Sequence, residues 1–297
     1  MLTATPALAT PFTPSAPGDI TAVHLELLAK EAINEMMALA AGVRSIENPK
    51  DLPEELRWAY DGPGLLFMNH RLDGSTVPQY RPDKPTKTRE GAKKPTKYYL
   101  PKNSGSSPYI HPSQRHLIGN ARKVCIVEGT KGCLGCISAA DDANRLNDVL
   151  FIGVAGVTGG RGNGTFHADW MDLIMPGAEV TVFFDADLQK NLAVYEAAAL
   201  LQQNLTDVCD ASVVKFARIP VSGDAGASDW LGTLPVRTGE FRFSKLMGLA
   251  DKATSKLGRR PAAKAKARNS VGGGPRSPGP GSDRQHLSRR PRRRGDQ

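Results

Sequence analysis

Four short apolar runs limit what this 297-residue chain can fold into more than any other feature of it. They are KVCIV (123–127), LFIGV (150–154), VTVFF (180–184) and ASVVKFARI (211–219), all dense in β-branched and aromatic residues. A strand that is apolar at consecutive positions has no face to offer water, so it belongs in a sheet covered on both sides. The chain between the runs supplies that cover. Small residues over about 131–140 read as a helix, and Leu192, Tyr195, Ala199 and Leu200 recur at helical steps over about 191–203. Strands alternating with helices predict an α/β fold, a mainly parallel sheet with helices on both faces.

The formal charge of +9 divides unevenly along the chain. Residues 241–297 hold 16 Lys and Arg against 3 Asp and Glu, a balance of +13. The first 240 residues keep the remaining 23 basic and 27 acidic groups, a balance of −4. The high isoelectric point therefore describes a tail, not a basic face on the folded part. Residues 239–297 read as a basic, mostly disordered tail, since from about Lys252 the Gly, Pro, Ser and Arg bury too little apolar surface to offset chain entropy. The leader 1–18, with four Pro, predicts the same. No apolar run approaches the roughly 18 residues of a membrane span, and the N-terminus lacks the pattern of a signal peptide. Four cysteines without a disulfide framework complete the expectation of a cytoplasmic protein with no membrane partner.

Residues 19–118 read as a small α+β accessory region. Leu25, Leu28, Ala29, Ala32, Ile33, Met36, Met37 and Ala40 follow one another at three- and four-residue steps, predicting a single helix over 21–41 that Gly42 stops. From 48 to 112 the chain is turn-rich and basic. Pro82, Pro85 and Pro95 stand among Arg81, Lys84, Lys87, Arg89, Lys93, Lys94 and Lys97, flanked by Tyr80, Tyr98 and Tyr99. Basic residues interleaved with aromatics can track a nucleic-acid backbone and stack its bases. The same composition also suits a solvated connection between short strands.

Residues 119–238 hold the chemistry. In a parallel sheet, ligands collect beyond the carboxyl ends of the strands. Glu128 stands there after KVCIV, beside Gly129, and Asp185 stands after VTVFF, with Asp187 two residues on. Carboxylates at the mouths of buried strands are costly unless they are paired, hydrated or hold a cation. Hard oxygen donors of this kind suit Mg²⁺, which meets phosphates through one or two carboxylates.

In that setting VCIVEGTKGCL resembles the first motif of the Toprim domain, and VTVFFDADLQKN resembles its Asp-x-Asp motif. Toprim domains occur in primases, topoisomerases, small nucleases and recombination proteins. The pattern is more closely similar to the Toprim-like domain of unknown function in phage and plasmid replication proteins, often fused to a helicase. Its elements match Glu128, Gly129 and Lys131, then Gly156 and Val157, then Asp185 and Asp187, then Gly226, Asp229, Trp230 and Leu231. QYRPDKP (79–85) and KYYLP (97–101) resemble that family's preamble. Where the primase version carries an acidic residue four positions after its Glu, this chain has Gly132.

The resemblance implies a Toprim-like, Mg²⁺-dependent protein of DNA replication, a primase-type nucleotidyltransferase module. Glu128 would be the general acid/base, and Asp185 and Asp187, with Glu128, would hold Mg²⁺. Lys131 would contact a phosphate and Asp229 would lend peripheral support. The implied partners are single-stranded DNA, nucleotides and, since no Walker motif is present, a separate helicase. Two other readings of the same residues stay open: a metal-dependent nuclease, and a non-catalytic module that binds DNA or a replication partner.

Other motifs carry less. GVAGVTGGRGNG (153–164) lacks a Gly-Lys-Ser/Thr ending and opens directly into no helix, so it reads as a loop from which Arg161 reaches a phosphate. No nicotinamide or flavin is expected. Cys133-x-x-Cys136 lacks the second half of a zinc site. His167 beside Asp169 reads as a helix-start pair, and Asp141-Asp142 as the end of a surface helix.

Overall fold

A computed structural model describes residues 20–88, 94–155, 161–162, 165–184, 191–221, 225–235 and 239–262. The leader 1–18, Gly156 and Val157, Asp185 and Asp187, and the stretch 263–297 of the expected tail lie outside the described residues.

The N-terminal apolar stripe forms two helices, where its periodicity predicts one: α1 (Ala22–Lys30) and α2 (Glu35–Ala40). The break has a local and a tertiary cause. Ala32 turns to φ +56, and the Asn34 side chain caps α2 by accepting from the Met37 N–H at 2.8 Å. The same Asn34 donates to Asp141 and Asp142 at 3.0 and 2.9 Å, so a partner far along the chain fixes where α2 starts. Gly42, at φ +72, ends α2 as expected.

Strands β1 (Arg44–Ile46), β2 (Gly64–His70) and β3 (Thr76–Pro82) make an antiparallel sheet over a small core that includes Ile46, Leu56, Leu66 and Tyr80. Tyr80 and Tyr99 pair through backbone bonds of 2.9 and 2.8 Å, which lays residue 99 along the edge of β3. The basic, aromatic stretch is thus partly held in a sheet.

The main sheet follows. Strands β4 (Tyr109–Ile110), β5 (Lys123–Glu128) and β6 (Leu150–Val154), with helix α3 (Thr130–Asp142) between the last two, lead to the short hairpin β7 (Arg161–Gly162) and β8 (Thr165–Phe166). Helix α4 (Trp170–Leu173), β9 (Glu179–Phe184), α5 (Leu192–Asp207), β10 (Val213–Arg218), α6 (Ala227–Thr233) and α7 (Gly239–Asp251) complete the order. The five-stranded sheet runs β10-β9-β5-β6-β4, with four parallel strands and β4 antiparallel at the edge. All four apolar runs are strands of it. Alternate side chains serve opposite faces: Cys125 and Val127 pack with α3, α6 and α7, whereas Val124 and Ile126 pack with α4 and α5. Helices cover both faces, as the apolar strands require. Among the described residues no helix is long and apolar enough to cross a membrane.

Helix α7 corrects the expected start of the tail at residue 239. Phe243, Leu246 and Ala250 are buried in the same core as α3. Their spacing is helical, and averaging composition over the whole basic region hides it. Beyond α7, Thr254 pairs with Phe216 through backbone bonds of 2.9 and 3.3 Å and covers the edge of β10.

Candidate functional site

Glu128 is the last residue of β5, and Gly129 turns the chain at once into α3. A Cβ on Gly129 would meet nothing within 4 Å, so its φ of +76 is what asks for glycine there. Its N–H donates to the Val154 carbonyl at 2.7 Å, which ties the turn to the end of β6. The Thr130 hydroxyl donates to Asn69 of β2, docking the first turn of α3 onto the N-terminal sheet.

This docking encloses a cleft of about 830 Å³. One wall is Glu128, Gly129, Thr130 and Lys131. The other side carries Gln79, Arg81, Lys97 and Tyr98 from the basic, aromatic stretch, and Glu31 and Asp229 line the cleft beside Lys131. The Arg81 guanidinium lies over the Tyr98 ring, 6.0 Å from its centroid, a spacing at which cation and π face attract. The cleft therefore pairs an acidic sheet edge with a cationic, aromatic wall.

Lys131, expected on a phosphate, is held by two carboxylates. Its Nζ is 2.5 Å from Glu31 Oε2 and 3.5 Å from Asp229 Oδ1. Burial pulls its pKa down, but Tyr98, Glu31 and Asp229 outweigh burial and the pKa is raised above the ordinary lysine value. Asp229 has a second duty, since its Oδ2 accepts from the Gly226 N–H at 2.9 Å and caps α6. Asp229, expected as a peripheral support, lies at the start of α6 and lines the cleft.

Parallel pairing sets Val127 beside Phe183, so β9 ends at Phe184 on the same edge of the sheet as Glu128. Asp185 and Asp187 follow that end and lie outside the described residues. Among the described residues no group of three His, Cys, Asp or Glu is arranged to hold a metal. Arg161 pairs with Phe166 in the β7–β8 hairpin, and its side chain is not among those described.

The lesser motifs have structural settings. Cys133 and Cys136 are buried on α3, and burial pushes both thiols well up. His167 accepts from the Asp169 N–H at 3.3 Å at the start of α4. Asp141 and Asp142 end α3 and receive Asn34. Sequence reasoning missed Glu31 altogether, because nothing local marks it. Arg81, Lys97 and Tyr98 stand out by composition, without any signal that they share a cleft with Glu128.

No protein-family model matches the sequence, and no curated protein matches it. Among solved structures the fold resembles the DnaG catalytic core, at 13% identity and a TM-score of 0.50, over 77% of this chain and 72% of that one. The Aquifex aeolicus primase, in a structure of its zinc-binding and RNA polymerase domains, aligns at 11% identity and a TM-score of 0.47 over 78% of this chain. The match spans 56% of the Aquifex aeolicus chain, little more than half its length. A DnaG primase catalytic domain bound to ssDNA aligns at 15% identity and a TM-score of 0.49, over 77% of this chain and 71% of that one. The likeness to the DnaG catalytic core is one of fold, a mixed α/β unit around a mostly parallel, Toprim-like sheet.

Proposed function

We propose that this chain is a primase-like module of DNA replication, a Mg²⁺-dependent nucleotidyltransferase acting on nucleic acid in the cytoplasm of a cell or in a phage or plasmid setting. The observation that carries the reading is the cleft, which sets Glu128 at a sheet edge against Arg81, Lys97 and Tyr98. The fold shared with the DnaG catalytic core supports it.

In this reading Arg81 and Lys97 bind phosphates of an incoming strand or nucleotide, and Tyr98 offers its ring to a base. Glu128 holds or takes the proton of the reacting hydroxyl. Carboxylates at one edge of a parallel sheet are a hard donor set that fits Mg²⁺, so Glu128, Asp185 and Asp187 are the residues that would hold it. When bound, the ion would neutralise charge on the transferring phosphate. Single-stranded DNA and nucleotides are the proposed partners, with a helicase supplied by another polypeptide.

The test incubates the full chain with single-stranded DNA, nucleotides and Mg²⁺. Elongated products are expected, and Glu128→Gln should lower their rate by about 10²- to 10⁴-fold. Shortened products would assign the cleft to a nuclease instead. Binding without either product would leave a non-catalytic module.

A further inference from the structure

Glu31 enters the cleft from a turn that its surroundings over-determine. Ala32 lies at φ +56, a conformation that a residue with a side chain keeps only when packing enforces it. A Cβ on Gly232 would lie 1.9 Å from the Lys30 carbonyl oxygen, and one on Gly135 would lie 3.1 Å from the Glu31 carbonyl oxygen. The turn fits because α6 and α3 carry no side chain at those points. The Asn34 N–H then donates to Ser138 Oγ at 3.1 Å, fastening the far end of the turn to α3. None of these contacts uses the Glu31 carboxylate.

That carboxylate meets Lys131. The pair is short, at 2.5 Å, and its side chains are only 21% and 16% exposed. Asp229 differs on both counts. It lies 3.5 Å from the ammonium and is 41% exposed, and its other oxygen is committed to Gly226. An ammonium has three donors, and a charge-assisted bond prefers about 2.7–2.9 Å. Glu31 thus makes the closer and more buried ion pair with Lys131, while Asp229 lies farther off on the solvent side.

We propose that Glu31 is a positioning residue that anchors the Lys131 ammonium to receive a phosphate group in the cleft, with Asp229 as the partner that the phosphate displaces. The inference deepens the phosphate-handling role assigned to this cleft and rests on it. A phosphate oxygen brings more charge to the ammonium than Asp229 does and can approach to full bonding distance. The groups around Lys131 also set its pH range. Glu31, Asp229 and Tyr98 keep it charged against burial, and Glu128, Arg81 and Lys97 line the same cleft.

The experiment is calorimetric titration of the full chain with inorganic tripolyphosphate in metal-free buffer, across the alkaline range. Lys131→Met should weaken binding roughly ten- to a hundredfold, the loss of one hydrogen bond to a charged group. Asp229→Asn keeps the cap acceptor but removes the competing charge, and should tighten binding about two- to fivefold. Glu31→Gln should move the alkaline fall-off of binding to lower pH, because less negative charge then sustains the ammonium. Adding Lys131→Arg to it should abolish that movement, since a guanidinium stays charged. Lys131→Met binding like the parent, a Glu31→Gln profile superimposed on it, or weaker binding by Asp229→Asn would each overturn the proposal. Lys131→Arg alone covers the case in which Glu31→Gln does not fold: its alkaline fall-off should be smaller than the parent's, Lys97 supplying what remains, and an unchanged fall-off overturns the proposal. Failure here with DNA elongation intact removes the Glu31–Lys131 phosphate anchor alone. Success here without elongation or cleavage of DNA removes the proposed activity alone.

Discussion

His111 follows β4 at the start of the 3₁₀ turn Pro112–Leu117 and is wholly buried. Its Nε2 faces the Met37 carbonyl at 3.0 Å, and its Nδ1 faces the Ser113 N–H at 3.2 Å and the Ser113 hydroxyl at 2.7 Å. The carbonyl accepts and the N–H donates, so the neutral ring with its proton on Nε2 satisfies the network. A second ring proton would point at an N–H. Burial, outweighing the bond to Met37 and helped by nearby His70, holds the His111 pKa at about 4, below the ordinary 6.5.

The unfolded chain therefore binds a proton that the folded chain refuses between those two values. Stability from this source is complete above about pH 6.5, falls as pH drops, and is fully lost below about pH 4. At 1.36 kcal/mol per pKa unit the loss is about 3 kcal/mol, a large share of the stability of an ordinary domain. His70, whose pKa burial also lowers, adds in the same direction. Urea unfolding at a series of pH values, for the parent and for His111→Gln, isolates the effect. Gln keeps a donor for Met37 but does not titrate, so the variant should be less stable near neutrality and lose less on acidification. The difference between the two curves should shrink by about 1.4 kcal/mol per pH unit through the window. Parallel curves would show that His111 carries no such linkage, and the account of its burial would be wrong.

Two glycines give a paired test of the turn that presents Glu31. Gly232→Ala places a Cβ against the Lys30 carbonyl and should destabilise by about 1–3 kcal/mol in thermal melts, whereas Gly248→Ala in α7 meets nothing within 4 Å and should be neutral or stabilising. Equal melting shifts for the two would mean that the turn is not wedged. The stretch 263–297 carries ten Lys and Arg against two Asp and Glu, so deleting it should weaken binding to single-stranded DNA and flatten its salt dependence by about 0.7 for each phosphate no longer neutralised. The same deletion spares α7 and should leave the melting temperature unchanged. An unaltered salt slope would assign the attraction to the cationic wall of the cleft.

What the sequence made legible follows from the range of the forces involved. Strands β5, β6, β9 and β10 declare themselves because an apolar residue at every position can be reconciled only with cover on both faces, a constraint contained within five or six residues. Glu128 and Gly129 follow by the same logic, since the end of such a strand is where a polar side chain first finds room. The Glu31 turn obeys the opposite rule. Ala29, Ala32, Ile33 and Met36 keep helical spacing straight through the break, so periodicity cannot report it. The break is imposed by Gly135, Ser138 and Asp141 on α3 and by Gly232 on α6, about 100 and 200 positions away. Arg81 and Tyr98 fall between these cases. Their chemistry is visible in the basic, aromatic composition, but their meeting with Glu128 depends on the Tyr80–Tyr99 pairing and on Asn69 reaching Thr130. A site whose acidic edge is local and whose cationic side is assembled by docking will show its acid to a reader of sequence and conceal what lies across from it. The two sides should accordingly differ under mild denaturant: release of β3 and residue 99, whose Tyr80 and Tyr99 belong to the smaller core, would dismantle the cationic side while β5 and Glu128 stayed in place, read as faster amide exchange at 79–81 than at 124–128.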